Sequence, residues 1–229
     1  MKEQLTVAAL YAYPEHSLAF PYLEKMTYPW EVLPLISDII TRLGETLPAE
    51  EYDRIEENVW IAKSAKVAST AFVGGPCIIG PHSEVRHCAF VRGSALIGAG
   101  AVVGNSTELK NCILFDEVQV PHYNYVGDSV LGYKSHMGAG AITSNVKSDK
   151  SDVFVRVGEE RIATGRRKLG AMLGDFVEVG CGSVLNPGTV IGSHTNIYPL
   201  SMVRGYVPEN SIFKSEDRIV KKRSDAYKK

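Results

Sequence analysis

Aliphatic side chains recur at every sixth position along the middle of the chain: Ile61, Val67, Val73, Ile79, Val85, Val91, Ile97, Val103 and Leu109, with Phe115 and Pro121 in the same phase. Four residues after each of the first eight stands a small or compact residue: Ala65, Ala71, Cys77, Ser83, Ala89, Ala95, Ala101 and Thr107. A second run repeats the pattern at Leu173, Val179, Leu185, Ile191, Ile197 and Val203, with Ser183, Thr189, Thr195 and Ser201 at small positions. A six-residue period fits neither a helix nor an ordinary alternating strand, and sustained self-similarity marks a repeat architecture. The physical reading is an all-β triangular solenoid. Each hexad supplies a short strand and a corner, and three hexads close one coil of about 18 residues. The aliphatic residue fills the interior and the small one fits the tight corner. Coils then stack at the strand spacing of about 4.8 Å.

The period is broken twice. Its phase slips by two residues around Tyr125 and then runs through Leu131 and Met137 in the register that Leu173 resumes. From 144 to 170 it is suspended, and there Val153–Val157, a Gly158-Glu159-Glu160 turn and Arg161–Thr164 predict a β-hairpin. A long polar loop that contains its own structure points to function. Ahead of the repeat, Val32, Leu35, Ile36, Ile39, Ile40 and Leu43 keep helical spacing, with Pro34 in the first turn and Gly44 as the stop. This helix is expected to cap or flank the first coil. A short terminal helix is expected over Ser215–Arg223. The organisation read from these patterns is a helical cap and linker over 1–55, a β-helix over 56–213 with the inserted loop 144–170, and a basic tail over 214–229.

The net charge of −1 across 229 residues argues against nucleic-acid or membrane partners reached by bulk electrostatics. Cys77, Cys88, Cys112 and Cys181 form no C-x-x-C pair and have no metal-ligand spacing, so free thiols in a reducing compartment are expected. No apolar run approaches the roughly 20 residues of a membrane span. Met1–Tyr13 lacks a secretory signal pattern. A cytoplasmic protein is expected.

The hexad pattern resembles the hexapeptide-repeat superfamily, and that resemblance implies left-handed winding of the parallel β-helix. A more specific likeness rests on Pro121-His122-Tyr123-Asn124-Tyr125-Val126-Gly127-Asp128, Gly138-Ala139-Gly140-Ala141-Ile142-Thr143-Ser144-Asn145, Thr164-Gly165-Arg166-Arg167-Lys168-Leu169-Gly170-Ala171 before Gly174-Asp175, and Ile197-Tyr198-Pro199. Over roughly residues 28–215 the chain resembles the acetyltransferase domain of the bifunctional N-acetylglucosamine-1-phosphate uridyltransferases, and in these segments their archaeal relatives, the bifunctional sugar-1-phosphate nucleotidylyltransferases. The resemblance implies an acetyl-CoA-dependent N-acetyltransferase for an amino-sugar-1-phosphate, either glucosamine- or galactosamine-1-phosphate.

It further implies His122 as general base and Tyr125 as its partner, Asn145 as a functional asparagine, and Arg92 and Lys110 as the holders of the sugar phosphate. Arg92 and Lys110 are 18 residues apart, so the solenoid independently stacks them on one face in adjacent coils. A lysine of the inserted loop is also implied, either Lys150 or Lys147. Gly138, Ala139 and Cys181 fall on positions where acetyl-CoA would lie, and Lys214 could meet a CoA phosphate. His136 stands where bacterial members carry an asparagine that touches the amino sugar, and this departure leaves the sugar's identity open. The chemistry suits these residue types. Only the free amine attacks the thioester, a neutral imidazole can accept its proton, and charge-assisted bonds fix the phosphate.

No glycine-rich nucleotidyltransferase loop is present in the sequence, and the first 55 residues are too few for such a domain, so nucleotidyl transfer is not expected of it. Two rival readings stay open. His82 and His87 have the spacing of paired zinc ligands in carbonic-anhydrase-like solenoids, but no upstream histidine nearer than His16 supplies a third. A non-catalytic scaffold is the other rival, and an acyl transfer to a nucleotide-linked sugar is a variant of the first reading. No metal is expected to take part in acetyl transfer, and a homotrimer is implied by the resemblance.

Overall fold

The computed structural model describes residues 2–223 and is a left-handed parallel β-helix with three flat faces. The first face stacks strands that include Val59–Ala62, Cys77–Ile79, Ala95–Ile97, Ala171–Leu173 and Thr189–Ile191. The second carries Lys66–Val67, Glu84–Val85, Val102–Asn105, Gln119–His122, His136–Met137, Glu178–Val179 and Asn196–Ile197. The third carries Phe72–Val73, Phe90–Val91, Ile142–Thr143, Val184–Leu185 and Met202–Val203. Parallel pairing of Ile61 with Ile79 and Ile79 with Ile97, and of Val73 with Val91, stacks the hexad aliphatics into an interior column on each face. Corners bend through residues with positive φ such as His82, Ser94, Ser106 and His194.

The phase slip resolves into two single-residue deletions, one coil apart. Leu114 pairs with Ile97, and Val120 with Val103, each 17 residues on, so the first deletion lies at the corner after Leu109. Leu131 follows Val126 by the same short interval, which places the second after Val126. The deletions let Glu108–Leu114 and Tyr125–Leu131 run unbroken from the third face onto the first. The expectation that Phe115 and Pro121 continue the interior phase is therefore corrected, since Leu114 and Val120 take those places. Phe115 instead stacks on Tyr11, with ring centroids 5.0 Å apart.

The first face has a second apolar column. Trp60, Ile78, Leu96, Ile113, Val130, Met172 and Val190 alternate with the interior residues, so they point outward, yet all are buried. The N-terminal segment covers them. Its helix Ile36–Gly44 packs on Cys77–Ile79, Ala95–Ile97 and Glu108–Leu114, and the 3-10 turn Pro29–Val32 packs on Tyr125–Leu131. The helix thus begins later than its spacing predicted, with Val32 in the preceding turn. Gly44 lies against the Trp60 ring, where a Cβ would come within 2.4 Å of ring carbons. The inserted hairpin, Val153–Val157 with Glu160–Arg166, covers the far part of the same face through Val153, Val155 and Val157. Burial of this column at about 1.5–3 kcal/mol per large aliphatic side chain makes the covering layer part of the fold.

Both edges of the solenoid turn back on themselves. Tyr52–Glu56 pairs antiparallel with Val59–Ala62, and Arg218–Lys221 pairs antiparallel with Ser211–Ser215. The helix expected over Ser215–Arg223 is therefore a strand: Ile219 and Val220 pair with Phe213 and Ile212 and occupy an otherwise open sheet edge. Residues 224–229 of the basic tail lie outside the described residues.

The N-terminal segment is also pinned along the corner between the first and second faces. Asp175, fully buried, accepts hydrogen bonds from the backbone N–H of Ala12 at 2.7 Å and of Tyr133 at 2.8 Å. His16 stacks flat on Tyr133 and meets Asp116 at 3.2 Å. Burial pushes the Asp175 carboxyl up to about 6, against the pull of its backbone donors. A carboxylate whose folded pKa is raised weakens the fold when ionised, so its penalty is full above pH 6 and fades as pH falls toward 4. Acidification from pH 7 to 4 is expected to favour the wild type over Asp175→Asn by up to about 3 kcal/mol. Paired thermal melts across that range check it; a gap that does not move with pH would contradict the assignment.

Candidate active site

The third face and the corner that leads into it gather most of the residues singled out from the sequence. Arg92 and Lys110 project from adjacent coils beside the corner toward the first face and line a pocket of about 300 Å³ with Gly93, Ser94 and Asn111. Arg92 Nη1 donates to Glu108 Oε1 at 2.7 Å. Lys110 Nζ lies 3.5 Å from Asp128 Oδ2. Asp128, buried at the second deletion, also accepts from Asn111 Nδ2 at 2.8 Å and from Asn145 Nδ2. Asn145 donates to the Tyr125 hydroxyl at 3.2 Å as well. Lys110, Tyr125 and Asn145 thus form one polar network through Asp128, and the Arg92–Glu108 pair stands beside it, with Glu108 opposite Tyr125 on the neighbouring strand.

The deletions shape this network. Asn111 and Asp128 occupy the shortened corners, both with positive φ, 51° and 49°. Asn and Asp tolerate that conformation better than other side-chain residues. Tyr125 folds back over Gly127, where a Cβ would stand 2.4 Å from its hydroxyl. Partial burial, followed by the charges of Asp128 and Glu108, raises the Tyr125 pKa, so the phenol keeps its proton at neutral pH. With Asn145 donating to its oxygen, the Tyr125 O–H is left to donate outward.

His122 ends the strand Gln119–His122, two residues past the interior Val120, and not directly after an interior residue as the phase expected through Pro121 would have put it. Its backbone N–H donates to Asn124 Oδ1 at 3.0 Å, and buried Asn124 donates onward to the carbonyls of Gly138 and Ala141. Below it, Gly104 lets Pro121 approach so closely that a Cβ would lie 1.5 Å from the Pro121 carbonyl oxygen. The imidazole is exposed and has no hydrogen-bond partner among the described residues. Tyr125 bonds Asn145 and not His122.

Gly138, Ala139 and Cys181 continue the His122 corner along the stack. The backbone N–H of Gly140 donates to the carbonyl of His122, and that of Gly182 to the carbonyl of Ala139. A Cβ on Gly138 would stand 2.9 Å from the exposed Cys181 Sγ. Lys214 sits further down the column through Gly138, Gly180 and Tyr198, with its ammonium 5.4 Å from the Tyr198 ring centroid.

Other residues stand apart. His136 lies on the second face with Nδ1 2.9 Å from Glu178 Oε2, in a separate pocket with Gln119 and Lys134. Lys147 is turned into its own loop, toward Ser151 and Asp149. Lys150 is exposed, with φ of 56° and no side-chain partner among the described residues. His87 Nδ1 lies 2.9 Å from Thr70 Oγ1, and among the described residues no group of three His, Cys, Asp or Glu is placed to hold a metal. All four cysteines are free, and no helix among the described residues is long and apolar enough to cross a membrane.

Sequence reasoning missed Glu108, Asn111, Asn124 and Asp128. The two five-residue intervals, from Leu109 to Leu114 and from Val126 to Leu131, are the signal that could have located Asn111 and Asp128.

The chain is 34% identical over 165 residues to a bifunctional sugar-1-phosphate nucleotidylyltransferase/acetyltransferase of Sulfurisphaera tokodaii, covering 72% of this chain and 41% of that protein. It is 30% identical to the bifunctional protein GlmU of Methanococcus maripaludis, covering 87% of this chain and 49% of the relative. The chain therefore spans about half the length or less of these relatives. It is also 31% identical to the putative uncharacterized acetyltransferase YaiX of Escherichia coli, covering 78% of this chain and 84% of that protein. Among solved structures, the acetyltransferase domain of PglB from Neisseria gonorrhoeae in complex with acetyl coenzyme A is 19% identical with a TM-score of 0.36, covering 71% of this chain and 56% of that one. A family model, the GMPPB C-terminal domain, matches residues 73–206. With more than half its length in that match, the chain belongs to the GMPPB C-terminal domain family.

Proposed function

We propose that this protein transfers an acetyl group from acetyl-CoA to the amine of an amino-sugar-1-phosphate, glucosamine- or galactosamine-1-phosphate. The observation that carries the reading is the placing of two cations, Arg92 and Lys110, in adjacent coils beside the Asp128–Asn145–Tyr125 network on one face, with an unengaged His122 ring at the corner that leads into it. Arg92 and Lys110 offer charge-assisted donors to a phosphate, which would compete with Glu108 for the partly exposed guanidinium. His122 takes the proton from the attacking amine, and the free Tyr125 O–H donates to the oxygen that becomes negative as the thioester carbonyl is attacked. In this reading the pantetheine arm lies along exposed Ala139 and Cys181, with Gly138 beneath them, and Lys214 meets a CoA phosphate further along. Lys150 of the inserted loop reaches the sugar phosphate in this reading, and His136 contributes to sugar choice.

The reading includes a cytoplasmic homotrimer. Phe72, Phe90, Met202, Leu200 and Tyr123 leave apolar surface exposed along the third face and its corner, and contact between copies would cover it.

Thiol release from acetyl-CoA with each of the two sugar phosphates tests the proposal. A rate on either is expected, and none on both would overturn the substrate assignment. Arg92→Gln is expected to raise KM for the sugar phosphate about tenfold or more while kcat changes little, since a phosphate clamp binds ground and transition states alike. An unchanged KM would remove Arg92 from the site.

A further inference from the structure

Between the inserted hairpin and the solenoid lies a cavity of about 470 Å³ that the acetyl-transfer reading does not use. Arg156, Arg161 and Arg204 line it, with Ser144, Ser148 and Asn186. Arg156 and Arg161 stand directly opposite each other on the two hairpin strands. Like charges in that register destabilise a hairpin. None of the three guanidinium groups has a carboxylate partner among the described residues. The one side-chain bond among them, Arg204 to Asn186 Oδ1, is long at 3.5 Å. Asp149, the one carboxylate on the wall, is already held by Lys147 and Ser151.

The wall is built rather than incidental. The hairpin is seated on two positive-φ glycines of the solenoid. A Cβ on Gly188 would meet the Phe154 carbonyl oxygen at 2.8 Å, and one on Gly205 would meet the Arg156 carbonyl oxygen at 3.0 Å. The loop base is fastened by the bridge between Val146 and Lys168 and by the Leu169 N–H to the Asn145 carbonyl. Three unpaired guanidinium groups held around one cavity violate local charge balance, and such violations mark function. Guanidinium forks suit phosphate oxygens, and serine hydroxyls and an amide add donors.

The site is separate from the Arg92–Lys110 pair. Arg92, Lys110, Gly127, Ser144, Asn186 and Arg204 follow one column of the third face, so Arg204 lies five coil steps from Arg92, about 24 Å away. One sugar monophosphate cannot reach both. We infer that the hairpin cavity binds the diphosphate group of a small molecule, with Arg156, Arg161 and Arg204 as its ligands.

Titration calorimetry of the full chain with inorganic pyrophosphate at low salt tests this without any turnover, so it stands or falls apart from the acetyl-transfer reading. Saturable binding is expected, weakened about tenfold or more by Arg204→Gln and by Arg161→Gln, and it persists in Arg92→Gln, which removes only what pyrophosphate binds at the Arg92–Lys110 pocket. Arg204→Lys, which keeps the charge and loses the fork, is expected to fall between. Displacement of pyrophosphate by CoA or by uridine diphosphate names the molecule that carries the group, and either supports the site. Absence of saturable binding would overturn the inference. So would binding that Arg92→Gln abolishes while Arg204→Gln and Arg161→Gln leave it intact.

Discussion

Replacing His122 with alanine is expected to lower kcat of acetyl transfer by about 10²–10⁴-fold while the protein folds as before. The two halves of that expectation come from the same geometry. The ring is exposed and makes no hydrogen bond among the described residues, so its removal leaves no orphaned partner and no cavity. What holds the corner is the backbone of residue 122, whose N–H meets Asn124 and whose carbonyl meets the Gly140 N–H, and alanine keeps both. A loss confined to kcat, with an unchanged melting temperature and unchanged KM for the sugar phosphate, is the signature of a base. Added imidazole is expected to restore part of the rate, since the vacated position opens to solvent. Equal rates in wild type and variant would remove His122 from the mechanism, and a collapse of the melting temperature would assign it to the fold instead.

The solenoid was legible in the sequence because its period is set by the coil itself: one interior aliphatic per strand, one small residue per corner. The hairpin was legible for the same reason, since alternation at Val153, Val155 and Val157 declares a half-buried strand. The covering layer on the first face was not read, although its mark is present. Triplets such as Val59-Trp60-Ile61, Cys77-Ile78-Ile79 and Ala95-Leu96-Ile97 are apolar at the outward position too, and recur once per coil. A strand apolar on both sides is buried on both sides. The C-terminal helix failed for a different reason: nothing local in Ser215–Arg223 distinguishes helix from strand, and the open edge of the second face decides.

The site divides along the same line. Arg92 and Lys110 could be placed on one face by their separation alone, because stacking is a property of the period. The roles proposed for His122, Tyr125 and Asn145 came only through resemblance. The residues packed between Lys110, Tyr125 and Asn145 were hidden because they sit where the period fails. Asn111 and Asp128 occupy corners one residue short, and a repeat search treats a short corner as noise. In a solenoid the departures from the repeat are where a side chain can turn against its neighbours, so they are the first places to look for chemistry.

Asp128→Ala is accordingly expected to damage both fold and activity. The side chain is 6% exposed and accepts from Lys110, Asn111 and Asn145, so its loss strands three donors at one corner. Removing one member of a buried ion pair costs about 3–5 kcal/mol. The Lys110 side chain is 28% exposed and can recover some hydration, which puts the expected cost near the lower end, about 3 kcal/mol. For a chain of this size that corresponds to a fall of about 6–12 °C in melting temperature. Activity is expected to fall further than the residual folded fraction accounts for, because Asn145 and Lys110 lose the group that aims them and Tyr125 loses the Asn145 bond that orients it. Asp128→Asn separates the two effects: its amide keeps the shape and an acceptor for either Asn111 or Asn145, which bond different oxygens of the carboxylate, but offers Lys110 no charge. Partial recovery of the melting temperature with a raised KM for the sugar phosphate would show Asp128 acting through Lys110. A melting temperature unchanged in Asp128→Ala would mean that the corner is held by its backbone alone, and the carboxylate would then be free to belong to the bound substrate.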